Sequence, residues 1–238
     1  MVERLDQFTV AGAVIYPPPQ TGYAQTLRQV AQRGIPFVMV PIVLPGVEAD
    51  SVAGAWLDAG RLAVEHLLAH GHRRIGLVDE SADSVGATEA REGMDQALRQ
   101  VGLGFADLAR VVISAVELNA DQPWLNGQRA TERLLKDHPE VTAVIGFNGH
   151  MTLGVLRGVK AMGRRVPQEV SVIGLSDLDI LATTEPGVTM VDVDPRLLGR
   201  LAAQRLLEVL SGRGGEPKHI EIQPHLIERQ SVARSMGN

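Results

Sequence analysis

Apolar residues along this chain fall in short blocks, separated by longer stretches with helical spacing. The blocks read as strands are Val10 to Tyr16, Pro36 to Val40, Arg74 to Val78, Arg110 to Ser114, Thr142 to Phe147, Val170 to Gly174 and Val188 to Val193. Most are continuous rather than alternating, as in Val141-Thr142-Ala143-Val144-Ile145-Gly146-Phe147. Continuous apolar runs suit strands covered on both faces, which is the condition of a parallel sheet.

Between the blocks the spacing turns helical. Ala59 to Ala69 carries Leu62, Val64, Leu67 and Leu68. Asp194-Pro195 is a helix start, an acid that can cap the free amides followed by a proline suited to the first turn. Leu197, Leu198, Leu201, Ala202, Leu206 and Leu210 follow, and Gly212 can end that helix. The alternation predicts an α/β fold built on parallel sheets. Gly212 to Pro217 is the best linker.

Composition narrows the function. The 238 residues are 45% hydrophobic and 21% charged, which allows one large domain or two small ones. Aromatic residues make up only 3%, so no base-stacking platform is expected. A net charge of −5 argues against nucleic-acid binding by these residues alone. There is no cysteine, hence no disulfide, thiolate metal site or cysteine nucleophile. Neither a signal peptide at Met1 nor an apolar run of membrane-spanning length is read, and a cytoplasmic protein without cofactor is expected.

In a parallel α/β sheet, ligands sit beyond the carboxyl ends of the strands. The segments following those ends are rich in hydrogen-bonding groups. Asp79-Glu80-Ser81-Ala82-Asp83-Ser84 follows Val78, and Asn148-Gly149-His150 follows Phe147. Ser176-Asp177-Leu178-Asp179 comes just after Gly174, and the loop beyond Ser114 leads to Asn119, Asp121 and Trp124. Amide, hydroxyl and carboxylate groups together can bind a sugar or another small polar molecule.

Several segments carry a specific resemblance. They are Gly60-Arg61-Leu62-Ala63-Val64-Glu65-His66-Leu67-Leu68 with Gly71-His72-Arg73-Arg74-Ile75, and Val166-Pro167-Gln168-Glu169-Val170-Ser171-Val172-Ile173-Gly174. Met151 to Leu156, Val188 to Val191 and Leu226 to Ser231 add to them. In this order they resemble the LacI/GalR family of transcription regulators, whose core is similar to the periplasmic sugar-binding proteins. The resemblance implies two Rossmann-like subdomains joined by three crossovers, with an effector in the cleft between them. Mapped here, residues 1–69 plus 192–215 form the N-subdomain, and 70–191 plus 216–238 the C-subdomain. It also implies a homodimer, formed through the helix Asp58 to Ala69 and the surface from Asp83 to Leu98.

Departures from the family pattern shape further expectations. No helix-turn-helix precedes the core, so DNA is expected as a partner only through a headpiece outside this chain. Val10 to Ile15 resembles the third strand of the N-subdomain, so that subdomain is expected to be incomplete by two βα units, on the order of 60 residues. At the ligand positions, Asn148 matches the family, but Gly149 and Ser176 stand where acids are usual. Asp177 comes one place later, and Arg91 lies one place nearer its glycine than the family's arginine. Asp58 matches an acid that contacts ligand in some members.

Each of these residues has a plainer reading. Asp58 can cap its helix and Asn148 the helix near Met151; Ser176 and Asp177 are turn formers. Arg91 can be a solvated helix residue, and Trp124 core. The ligand set is nevertheless Asn148, Asp177, Ser176, Asp58, Arg91 and Trp124, with a less hydroxylated or anionic ligand favoured and Arg91 as partner of the anion. His66, His70 and His72 read as structural, and no metal site is expected. The alternatives are a periplasmic-type sugar-binding protein, which would need an export signal, and an α/β enzyme. The enzyme would need a serine elbow, a Walker loop or a metal motif, and none occurs.

Overall fold

The computed structural model describes residues 10–17, 23–80, 85–113 and 122–235. The fold is α/β, and the chain divides into two compact units. One spans Met1–Ala55, Asp83–Thr88 and Val193–Gln223; the other, larger, spans Trp56–Ala82, Glu89–Asp192 and Pro224–Asn238.

The smaller unit is built on a parallel sheet of order β1-β2-β3-β9, from β1 (Ala13–Ile15), β2 (Phe37–Met39), β3 (Asp50–Gly54) and β9 (His219–Ile222). Helix α1 (Tyr23–Gln32) turns Ala24, Leu27 and Val30 inward, three residues apart on one face, against Ile15, Phe37, Met39 and Leu44. Helix α7 (Pro195–Leu210) packs on β1, β2 and β3. It starts as the sequence predicts, with the Asp194 carboxylate accepting from Leu197 N at 2.9 Å and proline in the first turn. Gly212, at φ 76°, takes up the left-handed conformation just past its end.

The larger unit has a six-stranded sheet of order β10-β8-β7-β6-β4-β5. Strands β4 (Ile75–Glu80), β5 (Ala109–Ile113), β6 (Ala143–Gly146), β7 (Ser171–Leu175) and β8 (Thr189–Asp192) run parallel. Strand β10 (His225–Ile227) pairs antiparallel with β8. The helices are α2 (Trp56–Ala69), α3 (Val85–Arg99), α4 (Pro123–Asp137), α5 (Gly149–Ala161) and the short α6 (Asp179–Ala182). Leu77, Val78, Ile145, Ile173 and Met190 of the central strands are fully buried, as their continuous apolar pattern requires. Helices α2 and α3 meet backbone to backbone. A Cβ on Gly60 would stand 1.9 Å from the Ala90 carbonyl oxygen, and one on Gly93 1.8 Å from that of Leu57.

Two expectations need correction. Helix α2 belongs to the larger unit, because it packs on β7 and β8. The segment 219–222, expected in the C-subdomain, joins the smaller unit, because β9 extends that sheet with Ser51 opposite His219 and Gly54 opposite Ile222. On α2, the helix expected to form the dimer contact, Val64 and Leu67 are fully buried within this chain and Leu62 is half-buried. Ser114 and Asp83 lie outside the described residues.

Candidate ligand-binding site

The five parallel strands of the larger sheet end on one edge, and the loops beyond β6 and β7 touch there. Beyond β6 the chain passes through Phe147 to Asn148, whose extended backbone makes it the N-cap of α5. Asn148 Oδ1 accepts from Met151 N at 2.9 Å, and its carbonyl accepts from Thr152 N at 2.8 Å and Thr152 Oγ1 at 2.7 Å. The capping reading therefore holds, and it leaves Asn148 half-buried at the edge of the sheet.

Beyond β7, Ser176 has φ 60°, a left-handed conformation that costs a non-glycine residue of order 1 kcal/mol. Three contacts hold this turn. Ser176 N donates to Val191 O at 2.9 Å, and Asp177 N donates to Asp192 Oδ1 at 3.0 Å. The Asp177 carboxylate receives the Arg229 fork, Nη1 to Oδ1 at 3.0 Å and Nη2 to Oδ2 at 2.5 Å. Gly149 is the point of contact between the two loops, since a Cβ there would stand 2.6 Å from Ser176 O and from Leu178 Cγ. Asn148, Ser176 and Asp177 are thus brought together.

Arg91 lies on the same edge, but its guanidinium is committed. Nε donates to Asp79 Oδ2 and Nη2 to Asp79 Oδ1, each at 3.0 Å, and the group lies 5.3 Å over the Phe147 ring. Asp79 is fully buried and also receives Arg110 at 2.7 Å. Arg91, expected to serve a ligand anion, thus meets Asp79 through its Nε and Nη2 groups.

The remaining candidates lie elsewhere in the packing. Asp58 is the third residue of α2, not its cap, and its carboxylate accepts from Arg61 Nη2 at 2.8 Å. Arg61 also reaches Glu65, and these acids raise its pKa. Trp124, half-buried at the start of α4, carries the Arg157 guanidinium 4.2 Å from its ring centroid on the face of α5. Ser81, Asp83, Ser84, Asn119 and Asp121 lie outside the described residues.

Sequence reasoning missed the roles of Asp79 and Arg229. A carboxylate completing the apolar run Ile75 to Val78 needs a buried cation nearby, which is a readable signal. Arg229 stood inside the Leu226 to Ser231 signature without a role of its own.

His66, His70 and His72, read as structural from the sequence, are held by packing within the chain. His72 is buried, with Nε2 2.9 Å from Ala233 O and Nδ1 2.9 Å from Thr142 Oγ1, and burial chiefly lowers its pKa. His66 lies 3.7 Å from Glu228, and its ring centroid is 4.5 Å from that of His70; burial, then His70, lowers its pKa. No cluster of three or more His, Asp or Glu able to hold a metal occurs among the described residues. One arrangement in the smaller unit resembles a hydrolytic triad, with Ser51 Oγ 2.7 Å from His219 Nδ1 and His219 Nε2 3.4 Å from Glu221. Ser51 is only 2% exposed and sits within β3, so a substrate carbonyl has no approach to it. The contact ties β3 to β9.

A periplasmic binding protein-like domain matches residues 64–232. The chain belongs to that family. Within it, the chain covers the effector-binding core of the LacI/GalR regulators. It is 31% identical to the HTH-type transcriptional regulator CelR of Thermobifida fusca over 84% of its own length, and spans 57% of that relative. The solved CelR–cellobiose complex matches at TM-score 0.81 and 28% identity, over 97% of this chain and 69% of that one. A dimeric Lac repressor with an 11-residue C-terminal deletion matches at TM-score 0.82 and 25% identity, over 98% and 81%. These relatives of the periplasmic-binding-protein-like core are regulators, not enzymes. No helix of the described residues is long and apolar enough to cross a membrane.

Proposed function

We propose that this chain senses a small polar effector, in the sugar class, for a LacI-type transcription regulator, and that Asn148 and Ser176 hold the effector at the carboxyl edge of the larger sheet. The observation that carries this reading is the meeting of the β6–α5 and β7–α6 loops at Gly149, which juxtaposes an amide and a hydroxyl where parallel sheets bind ligands. Arg91 and Asp177 each face an opposite charge, so the edge favours neutral hydroxyl groups over a free anion. The cellobiose bound to CelR supports the same ligand class. The test is a thermal-shift screen of neutral sugars and organic acids, followed by calorimetric titration of the hit against Asn148→Ala and Ser176→Ala. Loss of about tenfold or more in affinity for each variant supports the assignment, because a buried unsatisfied partner costs ~1–3 kcal/mol. Parent-like affinity in both sinks it.

In this reading the effector signal is passed on to DNA, as the regulator names of the relatives suggest. At a net charge of −5, these 238 residues by themselves are expected to show no specific operator binding at physiological salt. Self-association is also proposed, through the half-buried Leu57, Leu62 and Leu68 of α2, as the dimeric form of the similar Lac repressor favours. A sharp monomer in analytical ultracentrifugation at micromolar concentration would refute it.

A further inference from the structure

We infer that Arg229 is a positioning residue for the ligand edge, and that of the adjacent pair Ser176 and Asp177 it is Ser176 that faces the ligand while Asp177 serves as the strut. The inference rests on the proposed sugar-class site and assigns roles within it.

The Asp177 carboxylate is engaged on both oxygens by one guanidinium, at 3.0 and 2.5 Å, and both side chains are 15% exposed. Arg229 is itself anchored. Its Nη1 also donates to Val188 O at 2.6 Å, and its backbone N donates to Thr189 Oγ1 at 3.0 Å, which fixes it beside the start of β8. Gln230, the next residue, accepts from Gly187 N at 3.1 Å, and Ser231 Oγ accepts from Thr189 N at 2.8 Å. The fork therefore projects from a segment bonded to Gly187, Val188 and Thr189 at the start of β8. A charge-assisted, bidentate contact of this kind fixes direction as well as distance.

The Ser176 hydroxyl, by contrast, has no partner among the described residues. Its left-handed backbone is held by neighbours, namely Val191 O on one side and the Asp177 contacts with Asp192 and Arg229 on the other. An unfavourable φ persists only where the surroundings over-determine it. Arg229 is the member of that set farthest along the chain, and it acts on Ser176 only through Asp177.

Amide exchange tests this without a ligand. In the whole chain, Arg229→Met should speed exchange at the Ser176 and Asp177 amides by about tenfold more than at Leu77 and Ile145 in the sheet core, because local opening then costs less than global opening. Arg229→Lys, which keeps one charged donor, should recover part of the protection. Asp177→Asn should mimic Arg229→Met, and the two together should add less than about twofold, as expected of groups acting as a unit. If Ser176 and Asp177 keep their protection relative to Leu77 and Ile145, or if all four amides accelerate equally, Arg229 is an ordinary structural tie and the inference fails. Titration with cellobiose adds a second arm. Arg229→Met should weaken cellobiose binding in the parent but not in the Ser176→Ala background. Equal weakening in both backgrounds would mean that Arg229 does not act through Ser176. If the parent does not bind cellobiose at all, cellobiose is excluded as its effector, and the exchange result still decides the role of Arg229.

Discussion

Replacing Arg205 by methionine should be among the most damaging single changes to the smaller unit. Arg205 lies on α7 and is 2% exposed. Its Nε donates to Asp50 Oδ1 at 2.6 Å, its Nη1 to Glu208 Oε2 at 3.2 Å, and its Nη2 to the carbonyls of Gly214 at 2.5 Å and Glu216 at 3.0 Å. Asp50, 8% exposed, also accepts from Lys218 N at 2.8 Å. Methionine retains most of the apolar stem and removes every donor. What remains is a buried carboxylate without its cation and two carbonyls without their shared donor. Breaking a buried pair from one side costs ~3–5 kcal/mol. Asp50→Asn should cost less, ~1.5–3 kcal/mol, because the asparagine oxygen still accepts from Arg205 while only the charge is lost. For a chain of this size, Arg205→Met should lower Tm by roughly 6–20 °C. Urea unfolding followed by circular dichroism, with calorimetry for Tm, measures both variants. An Arg205→Met protein within ~1 kcal/mol of the parent, or an Asp50→Asn protein more damaged than it, would refute the reasoning.

Three further outcomes are expected. Neutral His72 donates from Nε2 to Ala233 O, and burial lowers its folded pKa below the ordinary value of 6.5. Its stabilising contribution is therefore complete above about pH 6.5 and is lost as pH falls from there through the folded pKa, because the unfolded chain takes the proton first. Urea midpoints at pH 7.5 and 5.5 should differ in the parent and differ less in His72→Leu, with some slope left by His66, whose pKa is lowered in the same direction; an unchanged pH slope in the variant disproves the assignment. Gly60→Ala forces a methyl to 1.9 Å from Ala90 O and should cost at least ~1–3 kcal/mol in chemical denaturation, whereas a neutral result would show that α2 and α3 can part freely. Asn148→Ala should remove about 1 kcal/mol through loss of the α5 cap, in addition to weakening ligand binding, and a stability equal to that of the parent would contradict the cap.

Strands β4, β6, β7 and β8 and the start of α7 were legible from local order alone. An unbroken apolar run has to be covered on both faces wherever it ends up, and Asp194-Pro195 satisfies free amides within its own turn. The ordered signatures from Gly60 to Ser231 likewise identified the family, because they are short and contiguous. Strand β3 was not legible, since Asp-Ser-Val-Ala-Gly does not read as core. It becomes core because Asp50 meets Arg205, 155 residues later, and Ser51 meets His219, 168 residues later. The domain boundary moved for the same reason, as β9 is recognisable as part of the smaller sheet only when it lies beside β3. At the site, sequence alone determined which residues stand at the strand ends, and Asn148, Ser176 and Asp177 were named from that rule. What each side chain meets was decided by tertiary structure, because a charge pairs with whatever the fold places opposite it. Arg91 is closed on Asp79, 12 residues away, and Asp177 on Arg229, 52 residues away; no periodicity or spacing records that those side chains meet.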